Sequence, residues 1–103
     1  MPHRIIIRHE AETDITDAAI WYHQQQPGLG DEFLAEVEAT LTAAASSPSH
    51  YPRLRRKPDV RRALANRFPF RIFFVRRPDA LIVFRVLHHA RHDREWKTNV
   101  PKR

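Results

Sequence analysis

The stretch that decides the fold is residues 70–88, FRIFFVRRPDALIVFRVLH. Its two halves, Phe70–Arg76 and Leu81–His88, are dense in aromatic and β-branched residues, which favour a pleated and packed surface. The residues Arg77-Pro78-Asp79 between them are typical of a turn. The stretch therefore predicts two consecutive strands. The nearly continuous apolar run of residues 81–84 predicts a central strand, covered on one face by helices and at least partly on the other.

Upstream of this stretch we expect one further strand and, before it, a loop. Val60–Arg67 is a strand candidate, although it alternates poorly, and Phe68-Pro69 separates it from the next strand. Residues 48–59 contain three prolines together with Arg53, Arg55, Arg56 and Lys57. This composition predicts a basic loop that is stiffened by proline.

Residues 10–46 have the periodicity of two amphipathic helices. Pro27-Gly28-Leu29-Gly30 ends the first helix, and the second begins near Asp31 and Glu32 and ends at Ser46-Ser47-Pro48. The short connection predicts an antiparallel helical hairpin. The buried stripe of the first helix is predicted to hold Ala11, Ile15, Ala18, Ala19 and Tyr22, with Trp21 at its edge. That of the second is predicted to hold Phe33, Val37, Leu41 and Ala44, supported by Leu34.

The two ends of the chain complete the predicted fold. Ile5-Ile6-Ile7 between arginines predicts a short strand, and Asp93–Lys97 predicts one terminal turn of helix. The element order is βααβββ: an N-terminal strand, an antiparallel helical hairpin and a three-stranded antiparallel meander. We therefore expect a single α+β domain over residues 1–103, because a second domain would leave each half too small to bury a core.

The charges of the chain are divided unevenly along its length. The net charge is +6, yet residues 1–50 carry 2 basic against 8 acidic side chains and residues 51–103 carry 16 against 4. This asymmetry indicates an anionic partner, either a nucleic acid or an acidic protein, and composition does not choose between them.

Composition also bounds the class of protein. The chain is 42% hydrophobic and 29% charged, which is typical of a soluble globular domain. No apolar run approaches the ~20 residues of a membrane-spanning helix, and the N-terminal apolar stretch is too short for a signal peptide, so we expect a cytoplasmic protein without a membrane partner. With no cysteine, the chain has neither a disulfide framework nor a thiolate metal site.

Several motifs follow one another over about residues 4–97. They are Ala11-x-x-Asp14-Ile15-x-x-Ala18-x-x-Trp21-Tyr22, Pro27-Gly28-Leu29-Gly30 with Phe33 and Glu36-Val37-Glu38, Tyr51-Pro52, Arg62-x-Leu64, Arg67-Phe68-Pro69-Phe70-Arg71-Ile72 and Val86-Leu87-His88. No single motif is specific, but in this order and spacing they make the sequence resemble the RelE/ParE superfamily of bacterial toxin–antitoxin toxins, nearer the ParE (plasmid stabilisation) branch.

The resemblance implies a toxin that a protein antitoxin neutralises, in a hetero-oligomer of the two chains. Members that look like ParE poison DNA gyrase, whereas members that look like RelE cleave messenger RNA on the ribosome. We expect the ParE-like role, inhibition of gyrase by binding, with the RelE-like endoribonuclease as the alternative. No cofactor is expected in either case.

The ribonuclease alternative depends on a set of candidate catalytic residues. Cleavage without a metal needs a base, an acid and cations that neutralise the phosphate. By resemblance, Arg71, Arg91 and Arg62 match arginine positions of RelE-type toxins, whereas Leu64 replaces a second basic residue and Trp96 lies near the place of a C-terminal tyrosine. Among His88, His89 and His92, His88 is the candidate base or acid, because histidine titrates near neutrality. A metal site of these histidines is not expected, since neighbouring strand residues point to opposite faces.

Two further groups of residues are candidates for binding. The basic run is the candidate target-binding surface, and it consists of Arg53, Arg55, Arg56, Lys57 and Arg61. The candidate antitoxin contacts are Trp21, Leu29, Arg71 and Arg85, since antitoxins of such toxins resemble tails that fold on binding and pair acidic and apolar side chains with the toxin. Both expectations assume that the face of the sheet opposite the helices is open and cationic.

Overall fold

The structure, a computed structural model, describes residues 3–91 and 94–102. Its strands are β1 (Arg4–Ile7), β2 (Arg53–Arg55), β3 (Val60–Leu64), β4 (Phe70–Arg76) and β5 (Ala80–His88). Its helices are α1 (His9–Gln25), α2 (Leu29–Ser46) and α3 (Arg94–Lys97), and a single 3-10 turn covers Pro48–His50. The predicted α+β class, the helical hairpin and the three strands that follow it are confirmed. The start of the predicted terminal turn, Asp93, lies outside the described residues.

The strands form one sheet in the order β1-β5-β4-β3-β2. Strands β2 to β5 form an antiparallel meander, and β1 pairs in parallel with β5, with Ile5 opposite Leu81 and Ile7 opposite Val83. The meander has four strands rather than the predicted three, because Arg53–Arg55 of the predicted loop pairs with β3. The strand was missed because it has only three residues between two prolines and its register shifts at Arg55.

One face of the sheet carries the helical hairpin and the larger core. Phe33 of α2 is fully buried, and its ring packs against those of Tyr22, Phe68 and Phe70 at 5.0–5.5 Å between centroids. The predicted buried stripe of α2 is confirmed at all four positions, and Ala11 of α1 is buried as well. Burial of these aromatic and aliphatic side chains is what holds the helices on the sheet.

The opposite face is covered by the chain's own C-terminal segment, which corrects the expectation of an open face. Trp96 of α3 is buried and stacks on Phe73 at 5.9 Å, and its ring meets Phe84 edge-on at 6.5 Å. Val100 packs against the same cluster. This second core covers the centre of the face, so the cationic side chains of the strands lie around its rim.

Two glycines set the connection between the helices. Gly28 adopts a left-handed conformation with φ of 89°, which side chains other than hydrogen disfavour. A Cβ at Gly30 would lie 2.5 Å from the carbonyl oxygen of Ala19, so a side chain here would push α2 away from α1. The predicted hairpin turn thus depends on glycine at both positions.

Helix α1 lies along the edge of β5 where β5 extends beyond the end of β1. The backbone N–H of Val86 donates to Asp14 Oδ2 at 2.9 Å, while Arg85 donates to both carboxylate oxygens through Nε and Nη2 at 2.7 and 3.1 Å. Arg85 Nη1 also donates to Asn99 Oδ1 at 2.8 Å. We call this arrangement the Asp14 clasp, because it joins α1, the edge of β5 and the C-terminal segment through one carboxylate.

We predict that Phe33→Ala lowers the free energy of unfolding by about 3–5 kcal/mol, because it removes a buried ring and leaves a cavity among Tyr22, Phe68 and Phe70. Urea denaturation followed by circular dichroism measures the change. The matched control is Leu34→Ala, since Leu34 is exposed on the same helix, and it should change stability by less than about 1 kcal/mol. Equal losses in the two variants would contradict this packing.

We predict that Asp14→Ala lowers the free energy of unfolding by about 3 kcal/mol, because it leaves a mostly buried Arg85 guanidinium without its anion and the Val86 N–H without its acceptor. Asp17→Ala is the control, since Asp17 lies exposed on the same helix. Thermal denaturation of both variants gives the comparison. Equal and small shifts in Tm for Asp14→Ala and Asp17→Ala would contradict a stabilising role of the Asp14 clasp.

Candidate functional site

The sequence-predicted site residues lie in three places: the C-terminal end of β5, the β2 edge of the sheet, and the hairpin with its contact to β5. Arg71 on β4, His88 at the end of β5 and Arg91 just after it come together at the C-terminal end of β5, and Arg62 lies next to them on β3. The four candidate catalytic residues therefore lie at neighbouring positions but on two faces of the sheet. Arg62 and Arg71 lie on the face that carries Phe73, whereas His88 lies beside Phe70 on the hairpin face.

Arg71 is withdrawn from solvent, with only 9% of its surface exposed. Its Nη2 donates to the carbonyl oxygens of Arg91 and His88 at 2.6 and 3.3 Å, and its guanidinium lies 5.6 Å from the centre of the Phe73 ring. Burial lowers the pKa of Arg71, and the nearby positive charge of Arg62 lowers it further, while Glu95 opposes both effects. The side chain thus fastens the segment after β5 to the sheet.

Arg91 and His88 are more exposed, but each has an intramolecular partner. Arg91 donates through Nε and Nη2 to the two carboxylate oxygens of Glu95 at 2.7 and 2.6 Å, and this hydrogen bonding raises the pKa of Arg91. His88 Nδ1 accepts the N–H of Ala90 at 2.9 Å, so the neutral ring carries its hydrogen on Nε2. The ring also meets Phe70 edge-on at 5.2 Å.

The other candidates for catalysis are His89, His92 and Arg62. His89 is exposed and its backbone N–H donates to the carbonyl of Pro69, while His92 lies outside the described residues. Arg62 is partly buried, and its Nε has no hydrogen-bond acceptor within residues 3–91 and 94–102. Arg62 and Arg71 are two cations on adjacent strands, and their repulsion contributes to the lowered pKa of Arg71.

A cleft of about 370 Å³ connects this cluster with α1. His88 and Arg91 lie on one side of it, and Asp17 and Trp21 of α1 lie on the other, with the ring of Phe70 between them. Trp21 is 56% exposed, which fits a docking role for this predicted antitoxin contact. Sequence reasoning missed Asp17, because an acidic residue on a helix surface carries no signal of what lies opposite it.

The basic run at the β2 edge is largely engaged in the fold. Arg61 is buried, with its guanidinium bonded to Asp59 and to the carbonyl oxygen of Tyr51 at 2.8 Å. Arg53 forms an ion pair with Asp59 at 3.2 Å, and Arg55 lies over the Trp96 ring at 5.3 Å. Of the five predicted target contacts, Arg56 and Lys57 stand exposed in the β2–β3 turn without such partners among the described residues.

Two other predicted antitoxin contacts, Leu29 and Arg85, make contacts within the fold itself. Leu29 at the hairpin tip is partly buried and packs against the larger core. The Arg85 side chain is mostly buried in the Asp14 clasp, so its guanidinium is already paired. Together with buried Arg71, this leaves Trp21 as the predicted antitoxin contact with a large exposed surface.

Within residues 3–91 and 94–102, no three His, Cys, Asp or Glu side chains come together as ligands for a metal ion. The same residues contain no helix with the length and apolar character needed to cross a bilayer.

Comparison with known proteins identifies the family. Residues 5–93 match the family model described as the ParE toxin of the type II toxin–antitoxin system parDE. Among solved structures, the chain is similar to one described as the chromosomal ParDE toxin–antitoxin system from P. aeruginosa, with a TM-score of 0.72 and 15% sequence identity over 84% of this chain and 95% of that one. At this identity the likeness concerns the fold alone. No curated protein matches the sequence. Because the family model covers most of the chain, including the hairpin and all of the sheet but Arg4, the protein belongs to the ParE toxin family of type II toxin–antitoxin systems.

Proposed function

We propose that this toxin acts in the cytoplasm by binding DNA gyrase, and that its antitoxin neutralises it by covering the surface that gyrase would contact. The observation that carries the proposal is the burial of Arg71, whose guanidinium bonds the carbonyl oxygens of His88 and Arg91. A toxin that cleaves RNA would need this cation at the phosphate. In this structure the Arg71 guanidinium instead holds the segment after β5 against the sheet.

The neighbours of Arg71 strengthen the case against cleavage. Arg91, the most exposed arginine of the set, is neutralised by the two hydrogen bonds to Glu95. His88 Nδ1 already accepts a backbone N–H, so proton abstraction would have to use Nε2. Phosphoryl-transfer chemistry on RNA would thus require Arg71 and Arg91 to leave their present partners before they could hold a phosphate.

Binding, in contrast, needs exposed groups of the right chemistry, and the molecule offers two. Arg56 and Lys57 project from the β2–β3 turn and suit an acidic surface of the target. Trp21 lines the cleft beside α1 and suits an apolar side chain of a partner. The division of charge supports an antitoxin with acidic residues, because such a chain would cover the basic turn and exclude the target.

We predict that His88→Ala and Arg91→Ala each retain inhibition of gyrase supercoiling within about twofold, because the proposal assigns binding to Arg56, Lys57 and Trp21 and requires no proton transfer or phosphate contact from His88 or Arg91. The purified chain and both variants are assayed in parallel for supercoiling inhibition and for degradation of messenger RNA with and without ribosomes. Wild-type chain should inhibit supercoiling and leave the RNA intact.

The proposal would be contradicted if the wild-type chain cleaves RNA and if His88→Ala or Arg91→Ala abolishes this cleavage while the fold is preserved. That result would establish the ribonuclease alternative. Absence of any effect on supercoiling would contradict it as well. Circular dichroism of each variant confirms that the fold is intact before either assay is interpreted.

We predict that Arg56→Ala/Lys57→Ala weakens inhibition of gyrase at least tenfold without lowering Tm, because both side chains are exposed and lack structural partners in the described residues. The matched control, Arg4→Ala/Lys102→Ala, removes two exposed positive charges elsewhere. Inhibition constants from the supercoiling assay, measured at two salt concentrations, give the comparison. Equal weakening in both double variants would indicate that only the net charge matters.

A further inference from the structure

We infer that the cleft between α1 and the C-terminal end of β5 binds the guanine base of a nucleotide. The base would stack on the Trp21 ring, with its donor edge on the Asp17 carboxylate and its acceptor edge toward His88. The inference does not depend on gyrase as the target, and it requires no cleavage of RNA. It gives the cleft a ligand of defined chemistry besides the partner side chain that Trp21 suits.

The cleft has the size and lining of a small-molecule site. Its volume of about 370 Å³ lies within the range of about 300–1,000 Å³ that is typical of such sites. Apolar side chains, including the rings of Trp21 and Phe70, form most of its wall, and Asp17, His88 and Arg91 are polar groups that face it. A few polar groups in apolar surroundings are what fixes the orientation of a bound ligand.

The Asp17 carboxylate is the acceptor in this cleft. Asp14, one turn earlier on α1, also lines the cleft, but its oxygens already accept from Arg85 and Val86. Asp17 has no hydrogen bond or ion pair within residues 3–91 and 94–102. Because an ionised carboxylate only accepts hydrogen bonds, this wall favours a ligand with N–H or O–H donors.

The opposite wall of the cleft provides donors. His88 Nδ1 accepts the N–H of Ala90 at 2.9 Å, so the neutral imidazole donates through Nε2. Arg91 uses Nε and Nη2 for Glu95, and the N–H groups on its Nη1 take no part in those two bonds. This wall therefore favours a ligand with acceptors, and the two walls together favour one that carries both kinds of group.

The two walls and the aromatic lining select a nucleobase. Lysine and arginine side chains only donate, and a carboxylate ligand only accepts and would be repelled by Asp17. A nucleobase has donors and acceptors on the rim of a planar ring. Trp21 is 56% exposed and lines the cleft, and base stacking on an aromatic side chain of this kind is favourable.

Guanine is the base whose edges match both walls. Its N1–H and 2-amino groups are adjacent donors that one carboxylate accepts together, while O6 and N7 are acceptors on the neighbouring edge. Adenine would bring its N1 acceptor against Asp17 beside a single amino group. Uracil and cytosine each have one donor group on the Watson–Crick edge. The paired acceptors of Asp17 therefore favour guanine over the other bases.

The first test titrates the full chain with nucleoside monophosphates and follows it by NMR. We predict that guanosine monophosphate binds at least tenfold more tightly than the adenosine, cytidine and uridine monophosphates, with shift changes at Ala18, Trp21 and His88. Inosine monophosphate lacks the 2-amino group and should bind at least fivefold more weakly than guanosine monophosphate. Equal binding of all five would indicate contact with the phosphate alone and would overturn the inference.

Substitution of Asp17 tests the edge that the carboxylate reads. In Asp17→Asn the amide accepts from N1–H and donates to a carbonyl at position 2, so the variant should lose guanosine monophosphate and gain xanthosine monophosphate. The matched control is Asp31→Asn, an exposed position on α2 outside the cleft, which should keep the guanine preference. Loss of guanine binding without a gain of xanthine would show an effect of charge only and would contradict the assignment.

Substitution of Trp21 tests the stacking contact. Trp21→Leu keeps an apolar side chain but removes the aromatic face, so it should weaken binding of guanosine monophosphate at least tenfold. Because Trp21 is exposed, the variant should keep its fold, and circular dichroism checks this. Unchanged affinity in Trp21→Leu would place the base elsewhere on the protein.

A second titration separates the two sources of a guanine base. The probe is a thymidine hexamer with one internal guanosine, compared with the hexamer of thymidine alone. Binding at least tenfold tighter than that of guanosine monophosphate would make a single strand the source, and a smaller difference would make it the free nucleotide. If neither guanine probe binds, the inference is wrong. Failure of the chain to inhibit gyrase would contradict the proposed target alone, because these titrations measure binding only.

Discussion

The β4–β5 pair is buried on both of its faces, and the positions of the other elements follow from this constraint. Ile72 and Phe74 face the helical hairpin, whereas Phe73 and Phe84 face the C-terminal segment. Such an apolar pair is stable only when both sides are removed from water. The hairpin covers one side, and Trp96 covers the centre of the other, where a sheet of this size would otherwise expose a wide aromatic surface.

The same constraint explains why a strongly basic half of the chain does not produce an equally basic surface. Three arginines on the central strands, Arg61, Arg71 and Arg85, are buried or mostly buried, and burial of a charge requires compensating hydrogen bonds. Asp59, Asp14 and backbone carbonyl oxygens provide those bonds. The fold therefore uses many of its cations to attach loops, the first helix and the chain end to the sheet. Those that remain exposed lie in turns and at edges.

Physical patterns in the sequence predicted the elements well where each pattern is local. The runs of residues 70–76 and 81–88 fixed two strands to within one residue, because a doubly buried strand is almost wholly apolar. The role of Trp96 and the Asp14 clasp could not be predicted, since one tryptophan in a polar segment has no period and Asp14 and Arg85 are 71 residues apart. For the same reason the gathering of Arg71, His88 and Arg91 was predictable only by resemblance, and their internal partners were not predictable at all.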